Sequence, residues 1–212
     1  RICAFLLVLF LPITAFAAPI SVSAQSAIVI NSADNSVIYS KNAYSSMPMA
    51  STTKIMTCVL ACESTRLNDA VVITNEMLAG TEGSLIYLKP DDKITLYDLA
   101  VAAMLASGND AANAVAFCLS GSIADFVALM NKKARSIGMK NTFFVTPSGL
   151  DEKNHHSTAY DMALLASYAM KNSCFSEICT LKSAQITING KKQTVYNHNK
   201  LLSNDNSFVG VK

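Results

Sequence analysis

From Ile55 to Cys62 the chain reads Ile-Met-Thr-Cys-Val-Leu-Ala-Cys, apolar at nearly every position. As part of a helix over residues 51–63 this stretch is apolar on almost all sides, and such a helix is stable only when other elements surround it. The rest of the chain must therefore be built around it. The helix begins where the turn-like Ser45-Ser-Met-Pro48 gives way to Ser51-Thr-Thr-Lys54, which puts a hydroxyl residue in the first turn. Residues three apart on a helix lie about 60° apart around the axis and about 4.5 Å along it. The Ser51 hydroxyl and the Lys54 amine can thus meet without any loop being ordered. A hydroxyl beside an amine is a nucleophile beside a base, close to the positive end of the helix dipole. An ordinary helix start with an exposed lysine has the same local pattern, so the rest of the chain has to decide.

Around this segment the patterns alternate in type. Ala27–Ile30 and Val37–Tyr39 are β-type runs joined by the turn residues Asn31-Ser-Ala-Asp-Asn35, which predicts a hairpin. Val71–Ile73 and Leu85–Leu88 read as short extended pieces. Helical spacing returns from Thr95 to Ser107, from Asp110 to Leu119 and from Ile123 to Ile137, with Gly138 as a C-cap. Thr142–Leu150, with Pro147 and Gly149, is irregular. Helices are predicted over Thr158–Met170 and around Phe175–Leu181. Asn189-Gly190 between Gln185–Ile188 and Gln193–Tyr196 signals a second hairpin. Residues 208–212 read as a strand in progress. With β pieces at both ends and helices in the middle, the expectation is an α/β (α+β) fold, its antiparallel sheet closed from both chain ends around an α-helical region.

The chain opens on Arg1, and Ile2–Ala18 is almost wholly apolar, with Pro12 inside and Ala15-Phe-Ala17 at its end. A short apolar core ending in Ala-x-Ala describes a secretory signal peptide over residues 1–17, incomplete at its start, and an exported protein. Residues 18–212 suffice for one domain with a real core. A net charge of +2 offers no basic field for nucleic acid. Beyond Cys3 there are five cysteines, an odd number. Cys58, Cys62 and Cys118 sit in apolar helical runs and read as buried thiols, while Cys174 and Cys179 could pair. No metal-ligand spacing is present, and His155-His156 reads as an exposed structural pair, since adjacent histidines point in different directions. No cofactor is expected.

Ser107-Gly108-Asn109 ends an Ala-rich helix. Locally it reads equally as a helix end with a cap for residues 110–119, or as a serine beside a glycine where backbone can approach a ligand. Taken with Ala50-Ser-Thr-Thr-Lys-Ile-Met-Thr57, the segment Leu105-Ala-Ser-Gly-Asn-Asp-Ala-Ala-Asn113 resembles the serine-type D-alanyl-D-alanine carboxypeptidases, the low-molecular-weight penicillin-binding proteins of peptidase family S11. Their third motif, Lys-Thr-Gly, is matched by its lysine in Gly210-Val-Lys212. The resemblance extends to Gly83-Ser84, Tyr87-Leu88, Pro147–Asp151, His156–Ala163 and Asn197–Leu202.

The resemblance implies a β-lactamase/DD-peptidase-like fold whose Lys-Thr-Gly strand is cut after Lys212 and whose later strands lie beyond the chain. It implies Ser51 as nucleophile, Lys54 as its base and Ser107 as proton relay, with Asn109 and Lys212 holding substrate. The backbone N–H of Ser51 would form half of an oxyanion hole. The implied partner is a peptidoglycan stem peptide ending in D-Ala-D-Ala, with β-lactams as covalent inhibitors and any membrane attachment left to later sequence. The alternatives are a β-lactamase-like hydrolase and a non-catalytic penicillin- or cell-wall-binding module. Against the first, none of Glu63, Glu76, Glu82, Glu152 and Glu177 has Asn four residues on. Against the second stand both a nucleophile and its base. Asp151 reads as a turn residue with at most a supporting role.

Overall fold

The structure, a computed structural model, describes residues 21–204 and 207–212. The predicted signal peptide, residues 1–17, lies outside them. Strands β1 (Ala27–Ile30) and β2 (Val37–Lys41) form the expected antiparallel hairpin. A 3-10 turn, Ala50–Thr53, leads into helix α1 (Lys54–Cys62). Strand β3 (Ala70–Val72), the short helix α2 (Asn75–Leu78) and strand β4 (Lys93–Thr95) follow, with β3 and β4 paired antiparallel. Helices α3 (Leu96–Leu105), α4 (Asn109–Ser120), α5 (Ile123–Ile137), α6 (Ala159–Ala169) and α7 (Ser173–Thr180) make up the helical part. Strands β5 (Ser183–Ile188) and β6 (Lys191–Tyr196) and the short helix α8 (Leu201–Asn204) come last.

Helix α1 is the centre of the molecule, as its all-round apolarity requires. Every residue from Lys54 to Ala61 is buried, and α3, α4, α5, α6 and α7 all pack on it. Helix α3 is nearly as enclosed, with eight residues buried; Ala100, Ala102 and Ala103 let its neighbours approach closely. Helix α5 is amphipathic and lies outside, turning Phe126, Met130 and Ala134 inward at helical spacing. Its ends are set by local chemistry. At the N-terminus the Ser122 hydroxyl accepts the Asp125 N–H and donates to the Asp125 carboxylate. At the C-terminus Gly138 takes a left-handed conformation, and its N–H donates the closing hydrogen bonds to the Ala134 and Arg135 carbonyls.

The mixed α/β class stands, but the strands of the two chain ends do not share a sheet among the described residues. They form three separate two-stranded sheets. The β5–β6 hairpin, turned by Asn189 and Gly190 with both φ values positive, is held elsewhere. Asn189 exchanges hydrogen bonds with Lys93 on β4, and the Thr187 N–H donates to Asp98 on α3. Residues 208–212, expected as a strand, have no ladder partner among the described residues. Val211 packs instead on the core, and Lys212 reaches the carbonyls of α3.

Leu85–Leu88 is the other departure. Its alternation is real, since Ile86 and Leu88 are buried and Tyr87 is exposed, yet it joins no sheet. The N–H groups of Ile86 and Leu88 donate to the two oxygens of the Asp110 carboxylate, which replaces a neighbouring strand. The capping pair of α5 satisfies a first-turn N–H that has no partner within the helix, so it is expected to matter. Ser122→Ala should cost about 1 kcal/mol. Thermal denaturation should show this as a Tm lower by about 2–4 °C.

Candidate active site

The site is assembled where α1 begins. Ser51 lies in the 3-10 turn, one turn before the α-helix proper, and Lys54 is the first residue of α1. The tighter turn still brings the two side chains together: Lys54 Nζ is 3.1 Å from Ser51 Oγ. The residue before Ser51, Ala50, is held at φ +43°, a strained conformation outside glycine. A loop over residues 146–150 sits against this turn. Lys54 Nζ donates to the Ser148 carbonyl at 2.6 Å, and the Thr57 hydroxyl donates to the Pro147 carbonyl at 2.6 Å. The approach is so close that a Cβ on Gly149 would lie 2.0 Å from the Ala50 carbonyl oxygen, and Gly149 itself has φ +85°. Only glycine fits there.

This loop is positioned by buried polar side chains on elements distant in sequence. On α5 the Asn131 amide donates to the Phe144 carbonyl and accepts the Phe144 N–H, the pattern of a strand neighbour. On α6 Asp161 accepts from the Asn141 N–H and the Thr142 hydroxyl. His155 is buried, against the expectation of an exposed pair; His156 is only half-buried and turns its Nδ1 to the Asn154 carbonyl. His155 Nδ1 accepts the N–H groups of Val145 and Thr146, so its proton sits on Nε2 and is donated to the Thr53 hydroxyl at 2.8 Å. Burial holds its pKa below the ordinary histidine value. The adjacency rule was sound, but it could not reveal which of the two rings faces inward. Asp151 is exposed.

Ser51, Ser107 and Lys212 line one cavity of about 480 Å³, whose other wall is Asn197, His198, Asn199, Lys200 and Leu201. Ser107, between α3 and α4, is buried and held at φ +59°. Lys212 Nζ donates to the Met104 carbonyl at 2.5 Å and the Ala103 carbonyl at 3.3 Å, at the C-terminal end of α3. Lys54 and Asn109 do not line this cavity; Lys54 is tied to it through Ser51, and Asn109 is the first residue of α4, two after Ser107. The Asn109 amide donates to the Glu82 carbonyl at 2.6 Å, and its Oδ1 is buried without a partner among the described residues. The sequence singled out all five of these residues. It did not single out Asp110, the Ser148 carbonyl or His155 as supports. The wall at Asn197–Leu201 was marked only as a shared segment.

The electrostatics follow from burial. Removal from water and, to a lesser extent, the nearby Lys212 cation bring the Lys54 pKa down to about 7, with Asp110 opposing both. Burial likewise lowers Lys212 to about 8. A neutral Lys54 amine can donate one N–H to Ser148 and still offer its lone pair to the Ser51 hydroxyl proton.

The sequence pattern of the D-alanyl-D-alanine carboxypeptidase family, peptidase S11, matches residues 13–212. The chain belongs to that family. Among its relatives, Bacillus subtilis DacF is 37% identical over 195 residues, covering 89% of this chain and 50% of DacF. Escherichia coli DacC is 37% identical over 224 residues, covering 97% of this chain and 54% of DacC. Both are named D-alanyl-D-alanine carboxypeptidases, and the chain spans about half the length of each. The Streptomyces K15 DD-transpeptidase superposes with a TM-score of 0.86 at 29% identity, over 92% of this chain and 81% of its own. A D-alanyl-D-alanine carboxypeptidase from Mycobacterium tuberculosis does so at 0.83 and 32%, over 89% and 72%. The mixed fold class expected from the sequence is therefore that of these DD-peptidase structures.

Burying Lys54 carries a stability consequence of defined sign. Between about pH 7 and 10.5 an unfolded lysine holds a proton that the folded Lys54 has shed. Stability therefore rises with pH across that window, and the penalty is present in full below it. Lys54→Met, similar in shape and apolar, should be more stable than the parent at pH 6 by about 1–4 kcal/mol. Denaturant unfolding against pH should show the gap closing between pH 7 and 10.5.

Proposed function

We propose that this chain is the catalytic domain, residues 18–212, of an exported serine-type D-Ala-D-Ala carboxypeptidase. It would remove the terminal D-alanine from peptidoglycan stem pentapeptides at the extracytoplasmic face of the cell envelope. The observation that carries the reading is a serine hydroxyl 3.1 Å from an amine whose pKa burial has brought to about 7, at a cavity shared with Ser107 and Lys212. Family membership and the names of the relatives support the substrate class.

In this reading neutral Lys54 takes the Ser51 proton as Oγ attacks the carbonyl between the two D-alanines. The tetrahedral oxyanion is met by backbone N–H groups, that of Ser51 among them. Ser107 passes a proton to the departing amine, and D-alanine leaves. Water then releases the acyl group from Ser51. The cationic Lys212 holds the terminal carboxylate of the substrate. Asn109 takes a substrate amide N–H; its unpartnered Oδ1 supports that role, because an unsatisfied buried acceptor costs about 1–3 kcal/mol that a substrate donor would recover. A β-lactam enters by the same attack and remains as a stable acyl-enzyme. Residues 1–17 serve as the export signal. The acyl acceptor separates hydrolysis from transpeptidation, the activity named for the Streptomyces neighbour.

A fluorescent penicillin is expected to label the chain, and Ser51→Ala to abolish labelling; a labelled mutant would remove Ser51 as the nucleophile. Lys54→Ala should slow acylation by about 10²–10⁴-fold, the usual loss for a general base. Two pKa values also bound the pH profile. Acylation should rise with pH as Lys54 loses its proton near 7, then fall as Lys212 loses its own near 8. The second-order rate constant for D-Ala-D-Ala peptide hydrolysis should therefore be a narrow bell. A profile that stays flat from pH 5 to 9 would exclude Lys54 as the base.

A further inference from the structure

The sequence left open a pairing of Cys174 with Cys179. Five residues apart on α7, their side chains point about 140° away from each other. Cys179 faces inward, fully buried, against the Met170 sulfur and the Val209 carbonyl. Cys174 faces α1 instead, and its Sγ lies 2.8 Å from Sγ of Cys62, the last residue of that helix. Both are half-buried and so within reach of a small reagent. The third thiol of the cluster, Cys58, is one turn back on α1, buried, and 4.0 Å from Cys62.

We infer that Cys62 and Cys174 are a modification site, a disulfide that staples the end of α1 to α7 when a disulfide-bearing oxidant is present. A disulfide brings its sulfurs to about 2.05 Å, so the two side chains need to close by under about 1 Å. The Cys174 thiolate attacks one sulfur of the oxidant, forming a mixed disulfide and releasing one thiol. The Cys62 thiolate then attacks Cys174 Sγ and expels the second thiol. Two thiols lose two electrons and two protons in all, and the oxidant is reduced to two thiols. Both thiols have raised pKa values, Cys62 through its contact with Cys58 and through burial, Cys174 through burial and its contact with Cys62, to about 12, so closure proceeds faster as pH rises.

The location gives the bond its consequence. Helix α1 carries Lys54 and follows directly on Ser51, while α7 backs the segment carrying Lys212. Cys179 is so close to that segment that a Cβ on Gly210 would lie 2.9 Å from its sulfur, and Asn197 from the cavity wall donates to the Cys179 and Leu181 carbonyls. Closing Cys62 to Cys174 would fix the two halves of the site to each other. The loop it encloses, with its ends 112 residues apart, is long enough for a large effect on the unfolded chain.

The test is peptide mapping of the chain by mass spectrometry, before and after incubation with oxidised glutathione at pH 8. The expected product has lost two hydrogens and yields one crosslinked peptide pair containing Cys62 and Cys174. Its Tm should exceed that of the dithiothreitol-treated chain by about 5–10 °C. Cys174→Ser should lose both changes, and Cys118→Ser should keep them. Glutathione adducts on Cys62 and Cys174 without a crosslink, or a crosslink involving Cys58 or Cys179, would overturn the assignment. The mapping is done on the parent chain, so it decides the matter even if a variant fails to fold.

Discussion

A primary amine held out of water at the start of the central helix is the constraint on which the site depends. Lys54 has no solvent exposure, and its nitrogen is placed between the Ser51 hydroxyl and the Ser148 carbonyl. An ammonium ion there would forfeit most of its hydration for two oxygen partners, so the neutral form is favoured down to about pH 7. The cost of burying the lysine and its reactivity have one origin. A less enclosed helix would carry a more stable charge and a poorer base.

Keeping that nitrogen buried requires a roof, and the roof is a loop with little regular structure of its own. Residues 141–158 are held by side chains that substitute for backbone neighbours: Asn131 for a strand edge at Phe144, Asp161 at Asn141 and Thr142, and His155 at Val145 and Thr146. Asp110 does the same for Ile86 and Leu88 on the other side. Each such group would be costly if left unpaired in the interior, and fully paired it allows one arrangement. Positive φ at Ala50 and Ser107 fits this picture, because surrounding contacts hold strained backbone at the two serines of the site.

Much of this could be read directly. The limits of α5, its Gly138 cap and the Asn189-Gly190 hairpin follow from local rules, since capping and turn preferences act over a few residues. The central burial of α1 followed from its apolar residues alone. Ser51, Lys54, Ser107, Asn109 and Lys212 were all legible as motif residues. The supports were not, because a buried Asn or Asp looks like any other polar residue until its distant partner is known. Leu85–Leu88 shows the limit well: alternation gave the buried face correctly, while the ladder partner was a carboxylate more than twenty residues away.

The sequence by itself determined which segment had to be central, which hydroxyl and amine come within reach of each other, and the mixed class of the fold. These depend on apolar periodicity, on chemistry and on spacing along one helix. Only the tertiary structure decided that Lys54 gives up its proton near pH 7, that His155 rather than His156 is buried, and that Cys174 meets Cys62 rather than Cys179. Each depends on which distant atoms exclude water or come into reach, and spacing along the chain does not encode that.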